Sequence, residues 1–188
     1  MRLIRLADLT PRPWKNGGGV TVEYLVSPAN AGLDAFDWRV SRAEVAADGP
    51  FSLFAGIDRT LTVVDGAGID LVIADRTVRL DPGCAPLAFA GDVPVASRLV
   101  TGPIRDLNVM SRRGRFAHRV ERLALPAGIE PPGSGAARLI VALGAVEATS
   151  AGRAERLAPG DMIVAGGERM FFGSPASGSV LLIEIMPT

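Results

Sequence analysis

Histidine, cysteine and lysine occur once each in this chain, as His118, Cys84 and Lys15. A single histidine excludes a transition-metal centre of the usual imidazole kind, which draws on two or three such ligands. It also leaves any serine–histidine–aspartate chemistry to His118, which stands among arginines with no G-x-S-x-G motif nearby. A single cysteine forbids an intramolecular disulfide and reads as a small buried or turn residue. Schiff-base chemistry falls to Lys15 alone. Neither sign of charge is in excess: 20 Lys and Arg balance 20 Asp and Glu. A neutral chain argues against nucleic acid and membrane surfaces as partners, which call for an excess of basic residues. No apolar run approaches a bilayer's thickness. Charges also interrupt the opening Met1-Arg2-Leu3-Ile4-Arg5-Leu6-Ala7-Asp8, unlike a signal peptide. The expectation is a soluble, cytoplasmic protein.

Sustained helical periodicity is missing as well. What is present is dense punctuation, with 22 Gly and 14 Pro, between short segments rich in Val, Leu and Ile. That pattern predicts an all-β sandwich or barrel. Candidate strands include Ile4–Leu6, Val20–Val26, Asp37–Val45, Thr60–Val64, Asp106–Met110, Phe116–Leu123 and Val180–Met186. Two blocks repeat. Leu61 to Gly66 reads L-x-V-x-x-G and is followed by R-L-x-P-G at Arg79–Gly83, then Ala90-Gly91. Leu139 to Gly144 is followed by the same turn at Arg156–Gly160, then Ala165-Gly166. The offset of about 78 residues indicates two copies of one β unit. The expected division is a first barrel over 1–126, a linker over 127–135 around Pro131-Pro132-Gly133-Ser134-Gly135, and a second barrel over 136–188. The second barrel is expected to exchange strands with the N-terminal segment.

Around Pro13-Trp14-Lys15-Asn16-Gly17-Gly18-Gly19 the chain places an indole, an ammonium and a carboxamide against three glycines. Such a run is tolerated where backbone turns sharply or approaches something closely. Pro11 and Pro13 stiffen its approach and a strong strand follows, so a presented loop is expected.

The repeated unit resembles a cupin, a small double-stranded β-helix barrel. In cupins a glutamate seven positions before the strand-ending glycine binds metal. Here that position is Arg59 before Gly66 and Ala137 before Gly144, while the second motif's histidine position falls on Pro94. The resemblance therefore implies barrels without the family's metal ligands, and no cofactor. Arg59 shares a strand face with Leu61 and Val63 by the two-residue period. An inward arginine needs an acidic partner or an anionic ligand, and its forked donors suit a carboxylate. The bland alternative is a rim salt bridge with Asp58 or Asp92.

The stretch Pro13–Glu23 also resembles the signature of the HutD/Ves family. Phe36–Ala43, Asp48–Arg59, Gly91-Asp92 and Asp106–Met110 resemble its further blocks. The likeness spans about the first 115 residues. It implies a metal-free bicupin associated with histidine utilisation, one that binds a pathway intermediate such as urocanate or formylglutamate and has no established enzymatic activity. The candidate ligand-binding residues are Arg59, Lys15, Asn16, Arg39, Asn108, Asp106 and Glu23. Arg39 shares a face with Ser41, Ala43 and Val45, and Asp106 and Asn108 alternate with Met110. Glu23 lies opposite the apolar face of its strand, either exposed or paired with an arginine. Trp14 and Trp38 read as core, and Arg112–Arg115 as a solvated basic face. The expected partner is a small-molecule anion, with neither nucleic acid nor membrane, and a homodimer is left open. The alternatives are a metal-independent enzyme on a small carboxylate or sugar acid, using Lys15 or Glu23 as acid and base, and a scaffold with a vestigial pocket.

Overall fold

The structure, a computed structural model, describes residues 1–14, 17–133, 136–174 and 178–188. Apart from one short 3-10 turn at Leu6–Asp8, its regular elements are strands. The chain forms two compact units. One is Thr10–Ala117; the other joins Met1–Leu9 to His118–Thr188. In the second, β1 (Arg2–Ile4) lies antiparallel to a strand far along the chain, Leu3 facing Ile163.

The Thr10–Ala117 unit holds β2 (Arg12–Pro13), β3 (Gly19–Ser27), β4 (Trp38–Val45), β5 (Gly49–Pro50), β6 (Ile57–Asp65), β7 (Ile69–Ile73), β8 (Arg76–Leu80), β9 (Leu87–Ala90), β10 (Val95–Leu99) and β11 (Ile104–Arg112). They form two sheets, ordered β2-β3-β4-β11-β6-β9 and β5-β10-β7-β8. Alternation supplies the core between them: Leu61 and Val63 of β6, Ile69, Leu71 and Ile73 of β7, Val95 of β10 and Ile104 of β11 are buried in one cluster. Each such side chain is worth about 1.5–3 kcal/mol of transfer free energy.

The second unit continues with β12 (Phe116–Ala124), β13 (Ala127–Ile129), β14 (Ala137–Ala142), β15 (Val146–Ser150), β16 (Arg153–Leu157), β17 (Met162–Val164), β18 (Met170–Gly173) and β19 (Ser179–Pro187). Its sheets run β1-β17-β14-β19-β12 and β13-β18-β15-β16. Ile140, Ala142, Val146, Ala148, Ile163, Met170, Phe172 and Val180 fill its core. Strands β12 to β19 repeat the pairing of β4 to β11 one for one. The architecture is all-β, with two barrels of the same eight-strand pattern.

The expected division of the chain differs from this one for a topological reason. The L-x-V-x-x-G motif marks the third strand of each eight-strand unit. Two strands precede it, so β12 and β13 already belong to the second barrel. The stretch expected as a linker over 127–135 begins as β13, where Gly128 faces Phe171. The strand expected at Ile4–Leu6 sits at Arg2–Ile4, because the Leu6 amide donates to Asp161 Oδ1 at 3.0 Å and the chain turns there. The short strands β2, β5 and β13, and strands β9 and β15, have no counterpart among the expected strands. In β15 the inward residues are Val146, Ala148 and Ser150, small side chains that read as loop.

Candidate functional site

Strands β3, β4, β11 and β6 are neighbours in the long sheet, and their pairing registers bring one row of polar side chains onto the core-facing side. Asn108 stands between Ser41 and Leu61, Asp106 between Ala43 and Val63, and Met110 between Arg39 and Arg59. Leu61, Val63 and Val45 on this face belong to the core, so Arg59, Arg39, Ser41, Asp106 and Asn108 face the barrel interior. Glu23 pairs with Ser41 and joins them.

Arg59 is 5% exposed. One terminal nitrogen donates to Asn108 Oδ1 at 2.9 Å and the other to the Ser52 carbonyl at 3.2 Å. Its guanidinium carbon lies 5.5, 5.4 and 5.1 Å from the ring centres of Phe51, Phe54 and Phe89, contacts that favour a cation over a π face. Its Nε is buried without a hydrogen-bond partner among the described residues. Burial pulls the guanidinium down to about 10, against the attraction of Asp106 and with repulsion from Arg39. The rim salt bridge is not formed: Asp58 and Asp92 both pair with Arg113, at 2.9 and 3.2 Å.

Asn108 links this cation to a buried acid. Its Nδ2 donates to Asp106 Oδ1 at 2.6 Å, and Asp106 Oδ2 is buried with no partner among the described residues. Asp106 is 1% exposed. Burial lifts its carboxyl to about 7, against the pull of Arg59, the hydrogen bond from Asn108 and the charge of Arg42. Beside these, Arg39 Nε donates to Glu23 Oε2 at 2.7 Å and its NH1 to Ser41 Oγ at 3.2 Å. Arg39 is therefore neutralised within the protein, whereas the partners of Arg59 are an amide, a carbonyl and rings.

Of the expected site residues, five come together here: Arg59, Arg39, Asn108, Asp106 and Glu23. Lys15 and Asn16 lie outside the described residues. The described residues on either side of them are held to one another. Trp14 N donates to the Gly19 carbonyl at 2.9 Å, and Trp14 Nε1 to Thr21 Oγ1 at 2.7 Å. Trp14 also packs on the core, as expected. A Cβ on Gly19 would stand 2.3 Å from the Glu44 carbonyl and 3.0 Å from the Trp14 ring. Gly19→Ala is therefore expected to cost about 1–3 kcal/mol, as overpacking does, measured by denaturant unfolding.

No sequence pattern singles out Phe51, Phe54 and Phe89. Phe51, Ser52 and Phe54 sit on the β5–β6 segment, where residues 51–56 form no strand and show no period. The only signal was an aromatic pair between Pro50 and Gly56, directly before Arg59. Arg112 and Arg115 of the basic cluster are engaged with Phe36, Asp34 and Asp37.

The second barrel shows what the first lacks. Counting places Ala137 opposite Arg59, but the inward face of β14 carries Ile140 and Ala142, and by the two-residue period Arg138. Its cross-strand partner is Glu184, which binds the guanidinium through Nε at 3.1 Å and through NH2. The Glu130 and Pro131 carbonyls accept from NH1. The residues across from Arg59 are Met110 on β11 and Phe89 on β9. One inward arginine has a carboxylate opposite it; the other has a thioether and a phenyl ring.

A family model described as HutD matches residues 6–181. An uncharacterized 21.2 kDa protein in the hutC 3′ region of Pseudomonas putida is 33% identical over 187 residues, covering 99% of this chain and 97% of that one. The structure of HutD from Pseudomonas fluorescens SBW25 matches with a TM-score of 0.82 at 31% identity, covering 100% of this chain and 98% of the other. A cupin 2 conserved barrel domain protein from Leptotrichia buccalis, 11% identical with a TM-score of 0.61, covers 100% of this chain and 96% of its own and shares the fold.

Proposed function

This chain belongs to the HutD family, and from that footing we propose that its first barrel binds a small carboxylate, an intermediate of histidine breakdown such as urocanate or formylglutamate, and thereby moderates that pathway. The carrying observation is Arg59. It is a buried guanidinium that forms no ion pair with a described residue, held by one amide, one carbonyl and three aromatic rings. A charge so placed is costly unless a counter-charge arrives. A carboxylate supplies it, and the unpartnered Nε and an adjacent terminal nitrogen offer the forked geometry it fits. The pairing of Arg39 with Glu23 and Ser41 holds that side of the interior in place. Phe51, Ser52 and Phe54 cover Arg59, so entry of a ligand displaces that segment, whose tip Leu53 is 60% exposed. The location of a P. putida relative in a hutC region supports the pathway.

Thermal unfolding in the presence of urocanate, formylglutamate, histidine and glutamate tests this. A compound present at a hundred times its dissociation constant stabilises by about 2.7 kcal/mol, a shift of roughly 5–10 °C in a chain of this size. The expected result is a shift with one of the first two compounds that disappears in Arg59→Met. No shift at millimolar concentration with any of the four overturns the proposal.

A further inference from the structure

We infer that the ligand of the first barrel is a carboxylate that also carries an N–H donor, and that Asp106 Oδ2 receives that donor. This rests on reading the interior as a carboxylate site and adds the second half of the recognition. The case starts from Asn108, whose amide is fixed at both ends: its oxygen accepts a hydrogen bond from Arg59, and its nitrogen donates one to Asp106 Oδ1. The amide orientation is thereby set, and it separates two unfilled positions of opposite polarity. On one side is Arg59 Nε, a donor without an acceptor. On the other is Asp106 Oδ2, an acceptor without a donor; both are so among the described residues.

The positions paired with Asp106 across the sheet have no donor to give it, and Arg42, whose charge reaches it, pairs with Leu107 on the other face. The residues directly across from Asp106 are Ala43 on β4 and Val63 on β6, neither with a donating side chain. Nearby Arg39 is engaged with Glu23 and Ser41. A buried polar atom left unpaired is costly, and more so when it is charged, so a ligand N–H that fills the position recovers that cost. A ligand with oxygen acceptors alone sets lone pair against lone pair there. Sites built around such a polar group discriminate strongly against analogues that lack the matching hydrogen. Burial already lifts Asp106, and a donated hydrogen bond favours its ionised form, so the contrast is sharpest above pH 7.

Matched pairs test the inference by calorimetry at pH 8. The first pair is urocanate and 3-(furan-3-yl)acrylate, which has a similar ring and carboxylate without N–H. The second is N-formylglutamate and its formyl-ester analogue, with oxygen in place of the amide nitrogen. In whichever pair binds, the N–H member is expected to bind about 100-fold tighter or more. In Asp106→Asn, Asn108 still needs an acceptor, so the new amide turns its NH2 group to where Oδ2 was. The preference then collapses or inverts, while binding continues to depend on Arg59. Equal affinities within the pair in the wild-type protein, or a preference unchanged by Asp106→Asn, overturns the inference and leaves the carboxylate site standing. If no member of either pair binds, the carboxylate reading fails and takes this inference with it.

Discussion

Asp106→Asn is expected to leave the protein's stability nearly unchanged at pH 4 and to raise it by up to about 4 kcal/mol at pH 8. The carboxyl has an ordinary value of 3.8 and is lifted by burial to about 7 in the fold. The sign follows from proton counts. Between those values the native state holds a proton that the unfolded chain has released, so stability falls as pH rises across that window. Below 3.8 both states are protonated, and above about 7 both are ionised, so the contribution is flat on either side. A separation of about three pKa units corresponds to roughly 4 kcal/mol. The amide keeps the shape and the acceptor for Asn108 but cannot ionise, so the variant lacks this slope. Depressed carboxylates elsewhere, such as Asp70 and Asp92, give slopes of the opposite sign, but they are common to both proteins and cancel in the difference. Denaturant unfolding of the pair at pH 4, 5, 6, 7 and 8 reads it directly. A constant difference across that range would show that Asp106 is not the buried, proton-holding group described above.

Asp106 and the side chains around it show how far the sequence could be read. Once β6, β4 and β11 are strands, the two-residue period puts Arg59 with Leu61, Arg39 with Ser41, and Asp106 with Asn108, and the structure places all of them on the interior face. Glu23 was harder. The register shifts between Glu23 and Leu25, so alternation on β3 does not run through the whole strand, and only pairing with β4 shows that Glu23 meets Arg39. The partners of charged residues were not legible either. Asp58 and Asp92 are close to Arg59 in sequence or motif, yet both turn to Arg113: Asp58 stands on the opposite face of β6 from Arg59, and Asp92 lies in the turn after β9. Phe51, Phe54 and Phe89 come from an irregular segment and an unexpected strand, and no periodicity announces where an irregular segment folds back. The repeat was visible, but as a motif in the third strand of each unit, which displaced the boundary by two strands.

Asp161→Ala is expected to destabilise the second barrel by about 3–5 kcal/mol, and its cause lies in the joining of distant parts of that unit. Asp161 is 3% exposed and sits in the turn after Gly160, the repeat's R-L-x-P-G. Its Oδ2 accepts from Arg5 NH1 at 2.7 Å and from the Ala158 amide at 3.0 Å; its Oδ1 accepts from the Leu6 amide at 3.0 Å. One carboxylate thus closes its own turn and fastens the segment that carries β1 to the edge of the β17 sheet. Truncation leaves two amides without their acceptor as well as removing a charge-assisted pair. Hydrogen bonds to an ionised group are worth about 1.5–3 kcal/mol each, while Arg5, 39% exposed at its side chain, recovers part of its share from water. Asp161→Asn keeps one acceptor and is expected to lose about half as much. Burial alone would raise this carboxyl, but the hydrogen bonds from Arg5, Leu6 and Ala158 outweigh it and the value falls. A depressed acid stabilises above its unfolded value and ceases to do so as pH drops through its folded one. The gap between wild type and Asp161→Ala is therefore expected to be full at neutral pH and to narrow below pH 3.8. Amide hydrogen exchange at Leu6 and across β1 adds a local readout. Protection there should be lost in the alanine variant at denaturant concentrations where the core of the barrel remains protected. Undiminished protection at Leu6 would mean that β1 is held by its pairing with β17 alone.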